Sequence, residues 1–202
     1  NEYWQVESEY VAVATNHSAR AAQQVVAYLE RVHGAWQQLF YPHWSIAGRL
    51  TSRFRGGENS LGPQRIHSVV LFRDRDDYVR SLRRAEPQIE MSVGYYSQNY
   101  KTAFFYVGDD AVHTTWIHES THQFFQENGI VAPQVGEESN FWIVEGVALY
   151  MESLVDRGHC VVTGGFDAER LQYARFRKLR EGYYVPLEQL AGYGRQQLQQ
   201  DD

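Results

Sequence analysis

The chain has 202 residues, 43% of them hydrophobic and 14% aromatic, which is ample apolar material for one folded domain. Its formal net charge of −6, with no basic block or stripe, excludes an electrostatic footprint for nucleic acid. No apolar run approaches the ~20 residues that a membrane-spanning helix needs, and a sole cysteine, Cys160, excludes an internal disulfide and a thiolate zinc knuckle.

Residues 4–15 (WQVESEYVAVAT) alternate and are rich in β-branched and aromatic side chains, which predicts one or two strands. The opening segment does not read as a signal peptide. Asn16-His17-Ser18 reads as a turn and helix cap, and residues 19–40 as a long helix. Its apolar residues, from Ala22, Val25 and Val26 through Leu29 and Val32 to Trp36, Leu39 and Phe40, recur at three- and four-residue spacings. Gly34 weakens that helix and Pro42 is expected to end it. Residues 48–64, with four of the 16 glycines and little periodicity, read as a loop.

Residues 66–72 (IHSVVLF) have strand length, and Asp74 is placed to cap a helix running to about residue 84, with Tyr78, Val79 and Leu82 inward. Residues 87–98 look irregular, with Gly94-Tyr95-Tyr96-Ser97 as a turn, and 101–107 (KTAFFYV) as a strand. A helix over 111–128 follows, packed through Ile117, Thr121, Phe124 and Phe125 and capped by Gly129. The link 130–138 contains Pro133 and Gly136. Ser139 or Asn140 then opens a second helix, FWIVEGVALYMESLVDR, closed by Gly158. Its apolar residues nearly encircle it, which predicts a buried helix. A strand at 159–163, a helix over 167–180 and a short helical or turn segment after Pro186 complete the order. The organisation expected is α+β in a single domain, with a sheet-rich half over 1–110 and a helical half over 111–202. The abrupt start and the Gln-rich end (Gln196, Gln197, Gln199, Gln200) read as the borders of a piece of a longer protein.

The chemistry concentrates in WIHESTHQFF, residues 116–125. On a helix of 3.6 residues per turn, His118 and His122 stand about 40° apart on one face, a spacing that lets two imidazoles grip one metal ion. Glu119 then projects beside the metal, where a carboxylate can take a proton from a bound water. A hydrolytic zinc site takes three protein ligands and leaves a fourth position open. Glu145 is the candidate third ligand: it interrupts an otherwise apolar helix, where a carboxylate is costly unless a cation or donor meets it. Cys160 reads as a buried or inert thiol, not a nucleophile. His17, His33, His43, His67 and His113 read as surface or locally bonded histidines, not as ligands.

WIHESTHQFF followed by NFWIVEGVALYMES resembles the gluzincin metallopeptidases, the thermolysin-like group with a glutamate ligand after the HExxH helix. Trp142, Glu145, Gly146, Ala148 and Tyr150 match a Trp-x-x-Glu-Gly-x-Ala-x-Tyr pattern of small relatives, and the nearest likeness is to compact bacterial peptidase-MA-like domains of unknown function. Their strand-and-helix lead-in is matched by SVVLFRDRDDYVRSL, and their GYYS turn and the strand before the zinc helix also have counterparts, so the likeness spans most of residues 66–155. The resemblance implies a zincin-like fold, with a small mixed sheet packed on the HExxH helix and a following glutamate-ligand helix. It implies one zinc ion per chain on His118, His122 and Glu145, Glu119 as general base, and a peptide or protein substrate pairing with the strand at 101–107 as an edge strand. It also implies an exported or envelope-facing bacterial protein.

Leu149 departs from the pattern, which places an aspartate there to orient the first histidine. Glu152, two turns beyond Glu145, is a candidate for that supporting role beside the reading of an ordinary surface glutamate. Tyr173, Tyr183, Tyr184 and His159 are candidate oxyanion donors. Two other functional readings stay open. One is a zincin-fold module that binds zinc with lost or narrow hydrolysis. The other is a di-iron carboxylate protein, because Glu30-x-x-His33 and Glu119-x-x-His122 both match the ligand pair used there.

Overall fold

The computed structural model describes residues 3–54, 65–109, 113–128 and 134–200, with backbone alone for 41–54 and 199–200. Among them are a five-stranded mixed sheet, a two-stranded ribbon and seven α-helices, so the chain is of mixed α and β character. It divides into two compact units, Asn1–Ile130 and Val131–Asp202, and the histidine helix falls in the first. No helix among the described residues is long and apolar enough to cross a membrane.

The alternation in residues 4–15 resolves into an antiparallel hairpin of β1 (Trp4–Glu7) and β2 (Val11–Thr15). Helix α1 (Ala19–Phe54) carries the chain to β3 (His67–Phe72), which lies parallel to β2. The expected stop at Pro42 does not occur. A proline removes one helical hydrogen bond and costs about 3 kcal/mol, which ends a weak helix but only interrupts the ladder of a long one. The expected loop over 48–64 is accordingly helical as far as Phe54, and the rest of that stretch, residues 55–64, lies outside the described residues.

Asp74 caps α2 (Arg75–Leu82) as expected, its carboxylate accepting the Asp77 amide at 2.8 Å. A 3-10 turn (Ile89–Met91) leads into β4 (Tyr95–Ser97), which pairs antiparallel with β5 (Thr102–Tyr106). Residues 94–97 are therefore mostly strand, and the turn comes afterwards, closed by Lys101 in a left-handed conformation at φ 49. The sheet order is β1-β2-β3-β5-β4. The strand at 101–107 thus lies inside the sheet, with its backbone engaged by β3 on one side and β4 on the other, so it is not an edge strand. β4 holds that position.

Period-two alternation sorts the side chains of β3 and β5 onto two faces. Val69, Leu71, Ala103 and Phe105 join Val11, Val13 and the α1 residues Ala22, Val25, Val26 and Leu29 in one cluster, against which Trp116 also packs. Val70, Phe72, Phe104 and Tyr106 meet Tyr78, Val79, Leu82 and Ile89 on the other. A strand buried on both faces needs cover on both, and this is why its sequence is a continuous apolar run. Helix α3 (His113–Glu127) packs in this unit against α1, β3, β4 and β5. Gly94 permits the approach of β4 to α3: a Cβ there would sit 2.6 Å from Thr115 Cγ2. Gly129, the expected cap, and the link 130–133 lie outside the described residues.

In the second unit, α4 (Phe141–Glu152) starts at Asn140, but the Asn140 side chain makes no capping bond. Backbone carbonyls do that work: Ala191 accepts the Asn140 amide at 3.0 Å and Tyr193 the Phe141 amide at 3.1 Å. The helix stops five residues short of the expected 157, because Val155–Asp156 (β6) turns back onto Val161–Val162 (β7) with Gly158 at φ 84 in the turn. Nor is α4 buried all round; Phe141, Ala148 and Met151 are buried, whereas Ile143 and Tyr150 are exposed. Helices α5 (Glu169–Arg180), α6 (Leu187–Gly192) and α7 (Arg195–Gln200) follow, the last in the Gln-rich segment.

Phe105 is fully buried on β5, an interior strand of the sheet. Phe105→Ala is expected to lower unfolding free energy by about 3–5 kcal/mol, seen as an earlier urea midpoint. A loss under about 1 kcal/mol would show that the two-faced packing is wrong.

Candidate metal centre

The residues of α3 divide by face. Ile117, Ser120, Thr121, Gln123, Phe124 and Glu127 are buried, and His118, Glu119 and His122 are half-buried on the remaining surface. The four-residue spacing stacks the two imidazoles, with Nε2 atoms 3.0 Å apart, ring centroids 4.7 Å apart and ring planes at 79°. Two nitrogens each bound at 2.0–2.1 Å to a tetrahedral ion stand ~3.3 Å apart. The donor pair therefore converges at nearly the separation that one ion requires. Between them in sequence, Glu119 accepts the backbone amide of Tyr96 at 2.9 Å through Oε2. That amide belongs to β4, the edge strand.

Glu145 stands in the middle of α4 in the second unit and is half-buried. Leu149, one turn on, is half-buried as well. The Glu152 side chain is only 7% exposed and receives Arg170 Nε at 3.0 Å, an ion pair between α4 and α5. Tyr173, Tyr183 and Tyr184 are 50–61% exposed and pair with cations of α5: Arg177 lies over Tyr173 and Tyr183, and Lys178 over Tyr184. His159 and Cys160 are exposed in the β6–β7 turn, so of the two expectations for the cysteine, buried or inert, burial does not hold, because it falls on a hairpin and not in a packed strand.

The di-iron reading loses its second ligand pair. The Glu30 carboxylate is engaged by the β1–β2 turn, accepting the Tyr10 amide at 2.7 Å and the Ser8 hydroxyl. His33 stacks on Tyr10 with ring centroids 4.2 Å apart and is 2% exposed.

A polar cluster behind the histidine pair has no counterpart in the motif reading. Glu127, with a 4% exposed side chain, bonds His67 Nδ1 at 2.8 Å and Gln123 Nε2 at 3.0 Å. The Tyr96 hydroxyl approaches the same oxygen as Gln123, Oε1, at 3.4 Å, and Arg65 donates to the Glu127 carbonyl. Glu127 lies eight residues after Glu119 on one helix, but its partner His67 is 60 residues away in sequence, so no local pattern announces the pair. Burial, and after it the neighbouring His67, lowers the His33 pKa to about 3 from 6.5.

Because His33 is held neutral in the folded state, its contribution to stability is complete above pH 6.5 and is lost as pH falls from there toward 3. In urea titrations the slope of stability against pH below 6.5 should be shallower in His33→Phe than in wild type, by up to about 1.4 kcal/mol per pH unit. Equal slopes would show that His33 charges freely in the fold.

Compared with known family models, curated proteins and solved structures, the chain matches none.

Proposed function

We propose that the chain is a zinc-dependent peptide hydrolase of gluzincin type with a zincin-like fold, in which His118, His122 and Glu145 hold one zinc ion. The observation that carries this reading is the pair of Nε2 atoms 3.0 Å apart with the acid of the same motif, Glu119, oriented by a backbone amide. Two imidazoles and a carboxylate are a donor set suited to zinc, and three ligands leave a coordination position for water. When bound, the ion supplies a Lewis acid that polarises a carbonyl and acidifies a water.

Glu119 takes the proton of the attacking water on Oε1 or Oε2 and delivers it to the leaving amine. A peptide substrate adds as an extended strand along the outer edge of β4, which has no further strand beside it among the described residues, and pairs with backbone groups other than the Tyr96 amide, which Glu119 holds. The Tyr96 amide, already turned toward Glu119, brings that edge and the base to the same place. Edge pairing gives affinity through the main chain and leaves sequence preference to pockets for alternate side chains.

Metal analysis of the purified chain should find one zinc per molecule, and zinc-loaded wild type should cleave members of a peptide library. Glu119→Gln should retain the zinc and lose at least ~100-fold in kcat, the range expected for removal of a general base. Zinc binding without cleavage of any peptide would replace this reading with that of a metal-binding module. Absence of zinc binding would defeat both.

A further inference from the structure

β4 is three residues long and, among the described strands, pairs with β5 alone. Tyr96 of this strand meets α3 twice. Its amide donates to Glu119 at 2.9 Å, and its hydroxyl lies 3.4 Å from the Glu127 carboxylate. These two glutamates are eight residues apart on one helix, a little over two turns, so a single tyrosine lies along the helix and touches an acid at each end. The far end is the fixed one, because Glu127 is buried and already bonded by His67 and Gln123. The near end is the half-buried carboxylate assigned above as the base.

We propose that Tyr96 is a positioning residue for Glu119: its hydroxyl, anchored on Glu127, holds the β4 amide that orients the Glu119 carboxylate. The proposal rests on the hydrolase reading for its catalytic consequence, but the tether itself does not. A phenol is suited to this role because it stays protonated; burial first, and then the charge of Glu127, raises the Tyr96 pKa well above its ordinary value. The hydroxyl therefore remains a donor to the buried carboxylate. An aromatic ring that only filled space would do as well without its oxygen, and this gives the test.

Tyr96→Phe keeps the ring and removes the donor. Two measurements on the 202-residue chain decide the matter: hydrogen exchange of the residue-96 amide, with the Val69 amide of β3 as internal control, and steady-state cleavage of a reporter peptide by the zinc-loaded protein. Exchange at position 96 should be about 10-fold faster than in wild type with Val69 unchanged, since the amide's bond to Glu119 opens more often. In the same variant kcat should fall about 10-fold while KM stays within about 2-fold and zinc stoichiometry stays at one, the pattern of a misplaced base with intact binding. Unchanged exchange at position 96 overturns the proposal, and so does faster exchange with an unchanged kcat. If zinc-loaded wild type cleaves nothing, the hydrolase reading fails by itself, and exchange still decides whether the hydroxyl holds the Tyr96–Glu119 bond.

Discussion

A carboxylate withdrawn from water must be met by donors, and in the first unit Glu127 is the group that imposes this rule. Its donors come from three places: His67 at the start of β3, Gln123 one turn earlier on α3, and Tyr96 on β4. The Gln123 amide also bonds the Ser68 carbonyl at 3.0 Å, which ties the same turn of α3 to β3. Sliding α3 by one turn, about 5.4 Å, would strand the charge and cost several kcal/mol. The helix is therefore locked in register by a residue outside the motif, and His118, Glu119 and His122 inherit their placement from it. Apolar packing through Ile117 and Phe124 holds the helix down, but such packing tolerates small shifts that a buried carboxylate tied by directional hydrogen bonds does not.

Much of this was legible in the sequence because its signals are local. The inward faces of α1 and α2, the cap at Asp74 and the histidine spacing all depend on residues within a turn or two of one another. The misreadings share the opposite character. Gly94 looks like a turn residue, yet its missing Cβ serves the approach to Thr115, and the turn after β4 uses Lys101, whose side chain gives no warning of positive φ. Pro42 signals a stop that the length of α1 overrides. The strand at 101–107 looks like an edge because nothing local shows that three residues of β4 cover it. Asn140 has the chemistry of a cap, but carbonyls some fifty residues later take the bonds. The buried cluster around Glu127 was missed for the same reason: its members read as ordinary polar residues until distant segments meet.

The parallel pairing of β2 with β3 has a kinetic side. The register sets Thr15 against Leu71, and the Thr15 hydroxyl reaches the Leu71 carbonyl at 2.7 Å, across a sequence separation of 56. The β1–β2 hairpin closes over a few residues, whereas this pair must first gather a long helix and the segment after it. Closure entropy grows only with the logarithm of loop length, but it is spent before any central strand contact returns it. Formation of α1, which is local, shortens that search by condensing 36 residues into a rod. The order of events this favours is hairpin and helix early, β3 onto β2 later, and β5 with β4 after that, so the surface that seats α3 is among the last parts of the first unit to exist.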